Sequence, residues 1–202
     1  MAQIGECMTC NKPLRVVLIG AESTGKTTLC IELAAHYNTV WVAEFGRELW
    51  EQKLAAQSLK GGDIPEWTDE DFIHIAQEQQ RRENEAATRA NGILFADTNA
   101  FATATWYERY AGKRHPEVDA IGDRDQVDLY LIPTPEVPFV QDGVRDGEKI
   151  RGWMHDRFVE LIEKAGIPYT LITGPWEGRV EQATAAIDAL LARCQAEALP
   201  AP

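Results

Sequence analysis

The sequence predicts a three-layer α/β protein, with a central parallel five-stranded sheet covered by helices on both faces. Three observations carry this. Short apolar runs alternate with longer segments of helical period, in the order β-α-β-α-α-β-α-β-α-β-α. The apolar runs are hydrophobic at nearly every position, as strands are when both faces are buried. The first run leads directly into a glycine-rich turn and then a helix, the junction on which open α/β sheets build phosphate sites.

In chain order, residues 14–19 (LRVVLI) form the first strand. A helix follows from Thr27 to Tyr37, with Leu29 and Leu33 at helical spacing, and a short strand over Thr39–Ala43. Residues 44–60 read as a helix broken by Gly61-Gly62-Asp63-Ile64-Pro65. Thr68 is an N-cap with Asp71 three residues on, opening a helix over 69–91. Its apolar stripe is Phe72, Ile75 and Ala76, with Gln79 on the same face, and Gly92 is its expected C-cap. GILFADTN is the next strand and 100–111 the next helix, while the charged stretch 112–126 reads as loop. VDLYLIP is a strand stopped by Pro133. Residues 134–147, with two prolines and two glycines, read as a mobile lid. A helix over 149–165, the strand PYTLITG and a helix over 179–196 complete the order. This gives one domain over 14–197, a flexible tail at 1–13 and a frayed one at 198–202.

The formal net charge of -12 argues against nucleic acid as a partner, because phosphate backbones select basic surfaces. No apolar run is long enough to span a bilayer, and residues 1–13 lack a signal-peptide core, so the expected location is cytoplasmic. Cys7 and Cys10 form a lone C-x-x-C, without the second pair a zinc ribbon needs, and are read as part of a metal-free tail. His74, His115 and His155 have no partners at metal-ligand spacing.

Gly20-Ala21-Glu22-Ser23-Thr24-Gly25-Lys26-Thr27 matches G-x-x-x-x-G-K-[ST] in full, between a strand and a helix. The glycines let the backbone curl so that successive N–H groups face phosphate oxygens. Lys26 should reach the outer phosphates of ATP, and the Thr27 hydroxyl should ligate Mg²⁺. Gly20, Glu22, Ser23, Thr24, Gly25, Lys26, Thr27 and Thr28 are therefore the expected nucleotide contacts.

Ligands in such sheets sit beyond the carboxyl ends of the strands, and two acids stand there. Asp97 ends GILFADTN and can share the metal shell or accept a hydroxyl proton; capping the next helix is its alternative, a task Thr98 or Asn99 could also perform. Glu44 ends the second strand and can bind sugar hydroxyls or act as general base, with Arg47 one turn on. Asn99 and Trp106 are placed with them on the acceptor side. Arg145 in the 134–147 loop and Arg151 beyond it are the candidates for closing over a transferring phosphoryl group. After the last strand, Trp176 or Arg179 is expected against the base.

The segments GAESTGKTT, YNTVWVAEFGRE, FIHIAQEQQ, ILFADTNAFATATW, DLYLIPTPEVPFVQDGVRDGE and IRGWMHDRF together resemble the ribosylnicotinamide kinase domain of the bacterial NadR family. The resemblance covers roughly residues 14–185. It implies a P-loop nucleoside-kinase fold with a lid, and the transfer of phosphate from ATP, with Mg²⁺, to the ribose 5′-hydroxyl of nicotinamide riboside. It maps Lys26 and Thr27 to phosphate and metal, Glu44 and Asp97 to the acceptor side, and Arg145 and Arg151 to the lid. The pyridinium of such an acceptor would suit a pocket of aromatic faces and carboxylates. Many members of that family carry a nucleotidylyltransferase or a helix-turn-helix ahead of the kinase. Only 13 residues precede the first strand here, so neither adenylyl transfer nor DNA binding is expected of this chain. The alternatives are a kinase for another nucleoside and an ATP-binding regulatory module. The residues leave open ATP against GTP, the identity of the base, and assembly as a homo-oligomer.

Overall fold

The computed structural model describes residues 12–60, 64–139 and 148–198. Five strands, β1 (Leu14–Leu18), β2 (Trp41–Val42), β3 (Ile93–Asp97), β4 (Leu129–Pro133) and β5 (Tyr169–Ile172), form one sheet in the order β2-β3-β1-β4-β5. Every pairing is parallel. Seven α-helices are described: α1 (Lys26–His36), α2 (Phe45–Lys60), α3 (Asp69–Ala87), α4 (Ala100–Ala111), α5 (Pro116–Gly122), α6 (Arg151–Ala165) and α7 (Arg179–Ala198). The α/β class, the five-stranded parallel sheet and the helical layers are those expected.

β1 shows why its run is apolar throughout. Val16 and Leu18 pack on one face with Leu29 and Leu33 of α1 and Ile187 of α7. Val17, and Ile19 just beyond the strand, pack on the other with Met154, Phe158 and Ile162 of α6. All of these side chains are at most 1% exposed. Truncating one such Leu or Ile to Ala would cost roughly 2–5 kcal/mol. The strand order places β1, and so the glycine-rich turn, at the middle of the sheet's carboxyl edge. The ends of β3 and β4 flank it.

Four local expectations need correction. The strand over 39–43 is only the pair Trp41–Val42, on the sheet's edge. α3 opens on the expected capping box, in which Thr68 accepts from Asp71 N and Asp71 accepts from Thr68 N, a device worth about 1 kcal/mol. It ends at Ala87, however, with Thr88 as its cap; Gly92 lies beyond the helix and its carbonyl accepts from Leu14 N. The 112–126 stretch contains α5, opened by Pro116 at its first turn and held by buried Val118 and Ile121. Gly122 is obligatory there, because a Cβ would lie 2.8 Å from Phe101 Cα. The helix expected from 149 begins with a 3-10 turn over 148–150 and is α-helical from Arg151. No described helix is long and apolar enough to cross a membrane.

Candidate active site

The turn after β1 is a tightly curled loop. Gly20 and Gly25 have φ of 149° and 84°, and Ser23 joins them at 57°. Thr24 Oγ1 donates to Ala21 O at 3.0 Å, closing the curl from inside. Lys26 is 9% exposed and its Nζ donates to Ala21 O at 2.9 Å, so the ammonium lies over the loop. α1 starts at Lys26 with Gly25 as its cap, which aims the positive end of the helix at the same place. From the far side Trp176 packs so close that a Cβ on Gly25 would meet its Cζ3 at 2.9 Å.

Asp97 comes from β3, paired across from Leu18 of β1. Its Oδ2 accepts from Thr27 Oγ1 at 2.5 Å, which joins the acid to the loop. Asp97 is 1% exposed, whereas Thr27 opens to the cavity. These two hard oxygen donors fit a small divalent cation whose remaining ligands are phosphate and water.

Glu44 follows β2, the next strand out. Burial pushes its carboxyl above the usual range, and the charge of Asp97 pushes the same way; Lys26 and Arg47 oppose them. Glu44 thus lies within electrostatic reach of Asp97, Lys26 and Arg47.

The loop, Glu44 and the surrounding helices enclose a cavity of about 1480 Å³, and Asp97 lies beside it, joined through Thr27 rather than in its lining. Residues 22–28, Glu44 and Arg47 line it. One wall is aromatic: Trp50 of α2 stacks on Trp67 at 4.8 Å, and Trp67 leans on Phe72 and Tyr110 at 5.4 and 6.3 Å. Trp106 and Tyr110 of α4 also line the cavity and flank Arg109, which pairs with Glu22 at 3.1 Å. The lining also includes Glu136, Val137, Pro138 and residues 174–177, Trp176 among them.

Three expectations change. Asn99 does not line the cavity: it is fully buried, caps α4 by accepting from Ala102 N at 3.1 Å, and donates to Tyr130 OH at 2.9 Å. Arg151 is 9% exposed, and its Nη2 donates to Val137 O at 2.9 Å and to Ser23 O at 3.3 Å. It therefore braces loop backbone at the start of α6 rather than riding on a free flap. Arg179 is wholly buried behind the loop and not against the cavity. Arg145, Cys7 and Cys10 lie outside the described residues.

Sequence reasoning missed Trp50, Trp67, Phe72 and Tyr110, which belong to segments distant in the chain. It also missed the task of Gln79. That side chain is 0% exposed; its Oε1 accepts from Phe45 N at 3.0 Å, and its Nε2 donates to Thr98 O at 3.4 Å. One buried amide thus ties the backbone beside Glu44 to the backbone beside Asp97, where Thr98 sits at φ 71°. The signal was present: a polar residue on the apolar stripe of α3.

A model of an AAA-domain family matches residues 15–179. Among curated proteins, the trifunctional NAD biosynthesis/regulator protein NadR of Escherichia coli is 31% identical over 159 residues, 78% of this chain and 37% of that protein. Its Salmonella typhimurium counterpart is 30% identical over 167 residues, 81% and 39%. The chain thus spans less than two-fifths of the length of the curated relatives it matches. Among solved structures, NadR in complex with NR superimposes with a TM-score of 0.71 at 21% identity, over 89% of this chain and 52% of that one. Thymidylate kinase from Ehrlichia chaffeensis follows at 0.58 and 16%, over 89% and 98%. At these identities the structural likenesses establish the P-loop kinase fold.

Proposed function

The chain belongs to this AAA-domain family, and from that premise we propose that it is an ATP-dependent kinase of nicotinamide riboside, making nicotinamide mononucleotide. The carrying observation is one junction: Thr27 of the phosphate loop bonded at 2.5 Å to Asp97, on a cavity that Glu44 and an aromatic wall share. A hydrolase would need only the first half. The paired acids and the aromatic wall suit a second, organic substrate with a hydroxyl and a cationic ring.

The parts divide the work as follows. Backbone amides of residues 20–27, Lys26 and the N-terminus of α1 hold the triphosphate. Thr27 and Asp97 would hold Mg²⁺, which when bound offsets charge on the outer phosphates. The acceptor's ring lies along Trp50, Trp67 and Tyr110, with Glu22 and Glu44 near its positive charge. Its 5′-oxygen attacks the γ-phosphorus as the bond to the β-phosphate oxygen breaks. The hydroxyl proton passes to Asp97 or Glu44, and ADP leaves. Arg47 and Trp106 complete the acceptor side and Trp176 the nucleotide side, with Arg145 assigned to the lid by resemblance. The relatives named for NAD biosynthesis, and the similar structures in complex with NR and with NAD and AMP-PNP, support this reading.

The test is a panel of nucleosides incubated with ATP and Mg²⁺. Phosphorylation of nicotinamide riboside well ahead of thymidine, cytidine and adenosine is expected. Preference for a neutral nucleoside, or ATP hydrolysis without transfer, would refute the assignment.

A further inference from the structure

Arg179, at the first position of α7, is the largest fully buried side chain of the described residues. Its guanidinium contacts three loop carbonyls. Nη1 donates to Thr24 O of the phosphate loop at 3.0 Å, Nη2 to Thr134 O after β4 at 3.0 Å, and Nε to Gly174 O after β5 at 2.8 Å. No carboxylate among the described residues pairs with it within 4.0 Å. Glu136 acts on it electrostatically from beyond ion-pair distance, and Arg151 repels it; burying a cation so weakly balanced is expensive, so stability alone is a poor reason to keep it. Burial works against its charged form, yet arginine remains cationic in proteins.

The three loops it joins surround the proposed triphosphate position. The 174–178 segment carries Trp176, which packs on Gly25, and its Gly174 N is held by Glu136 Oε2 at 2.5 Å. Within the phosphate loop the bonded atom matters. The Thr24–Gly25 peptide is trans, so its C=O and N–H point opposite ways. Fixing Thr24 O on the guanidinium turns the Gly25 N–H away from Arg179.

We propose that Arg179 is a positioning residue for the nucleotide: it sets the Thr24–Gly25 peptide for phosphate binding and places a buried positive charge behind the loop that a bound polyphosphate balances. The proposal rests on the nucleotide-binding part of the kinase reading. Its effect should therefore fall on the nucleotide and spare the acceptor.

The experiment compares wild type, Arg179→Lys and Arg179→Met. Calorimetric titration with a non-hydrolysable ATP analogue gives the nucleotide affinity, thermal melting the stability without ligand, and steady-state kinetics the separate KM values. Arg179→Met should bind the analogue about tenfold or more weakly, the scale of losing one charged hydrogen bond. KM for nicotinamide riboside should stay within about twofold, a split a general loosening of the fold would not produce. Arg179→Lys keeps the charge but not the fork, and should fall between. Wild-type affinity in both variants, parallel loss for both substrates, or failure of both variants to fold would overturn the proposal. Wild-type protein that does not bind the analogue at all would instead overturn the nucleotide reading itself.

Discussion

The two halves of the cavity are built in different ways. The nucleotide half is a contiguous eight-residue loop, Gly20–Thr27, whose shape follows from glycines at positive φ and a helix start. The half proposed for the acceptor is assembled from residues just beyond β2 and β3, from α2, the 64–67 segment, α3 and α4, and its backbone is tied by Gln79, a side chain outside the cavity lining. A local motif tolerates change in its surroundings, whereas a composite surface depends on packing elsewhere. The halves meet at the bond between Thr27 and Asp97.

Variants can break either half alone. The largest effect is expected from Lys26→Ala, which removes the ammonium over the loop: transfer should fall by about 10²-fold or more, with the circular dichroism spectrum unchanged. Asp97→Asn keeps an acceptor for Thr27 but removes the carboxylate, and turnover should drop by roughly 10²-fold if this acid takes the proton. An unchanged rate would reduce Asp97 to a structural partner of Thr27. Trp67→Ala removes the centre of the aromatic wall. KM for the acceptor should rise by about 3- to 30-fold, the range of one cation–π contact, while KM for ATP holds. Equal changes in both constants would mean that the wall supports the fold rather than the acceptor.

The smallest effect on catalysis, and the most informative on stability, concerns Glu83. It is 2% exposed and lies one turn from Gln79, whose Nε2 donates to it at 3.3 Å. Burial, then the charge of Asp125, pushes its pKa from the ordinary 4.5 to about 8. An acid raised in the folded state binds its proton more tightly there than in the unfolded chain. Its contribution is intact below about 4.5 and is lost as pH rises toward about 8. The melting temperature of wild type should therefore decline across that window more than that of Glu83→Gln. Parallel curves would show that Glu83 does not titrate in this range.

The sequence made the nucleotide half readable because its chemistry depends on backbone shape, which glycine spacing encodes directly. The parallel sheet was equally readable, since Val16–Ile19 must satisfy two apolar layers at once. The acceptor half was half legible. Glu44 and Asp97 stand at strand ends, where position alone suggests a role. Trp50 and Trp67 become neighbours only in the folded protein, and no spacing rule brings them together. Asn99 was misplaced because a polar residue at a strand end serves equally as ligand contact and helix cap, and here the cap and Tyr130 claim it. α5 was missed because only Val118 and Ile121 anchor it, within a stretch whose charges read as loop.

The most direct measurement is a crystal structure with a non-hydrolysable ATP analogue, Mg²⁺ and nicotinamide riboside together. The account predicts the γ-phosphate between Lys26 and Thr27, the ribose 5′-oxygen facing it within hydrogen-bond reach of Asp97 or Glu44, and the pyridinium ring along Trp50 and Trp67. A nucleoside bound elsewhere, or with its 5′-oxygen turned away from both acids, would contradict it.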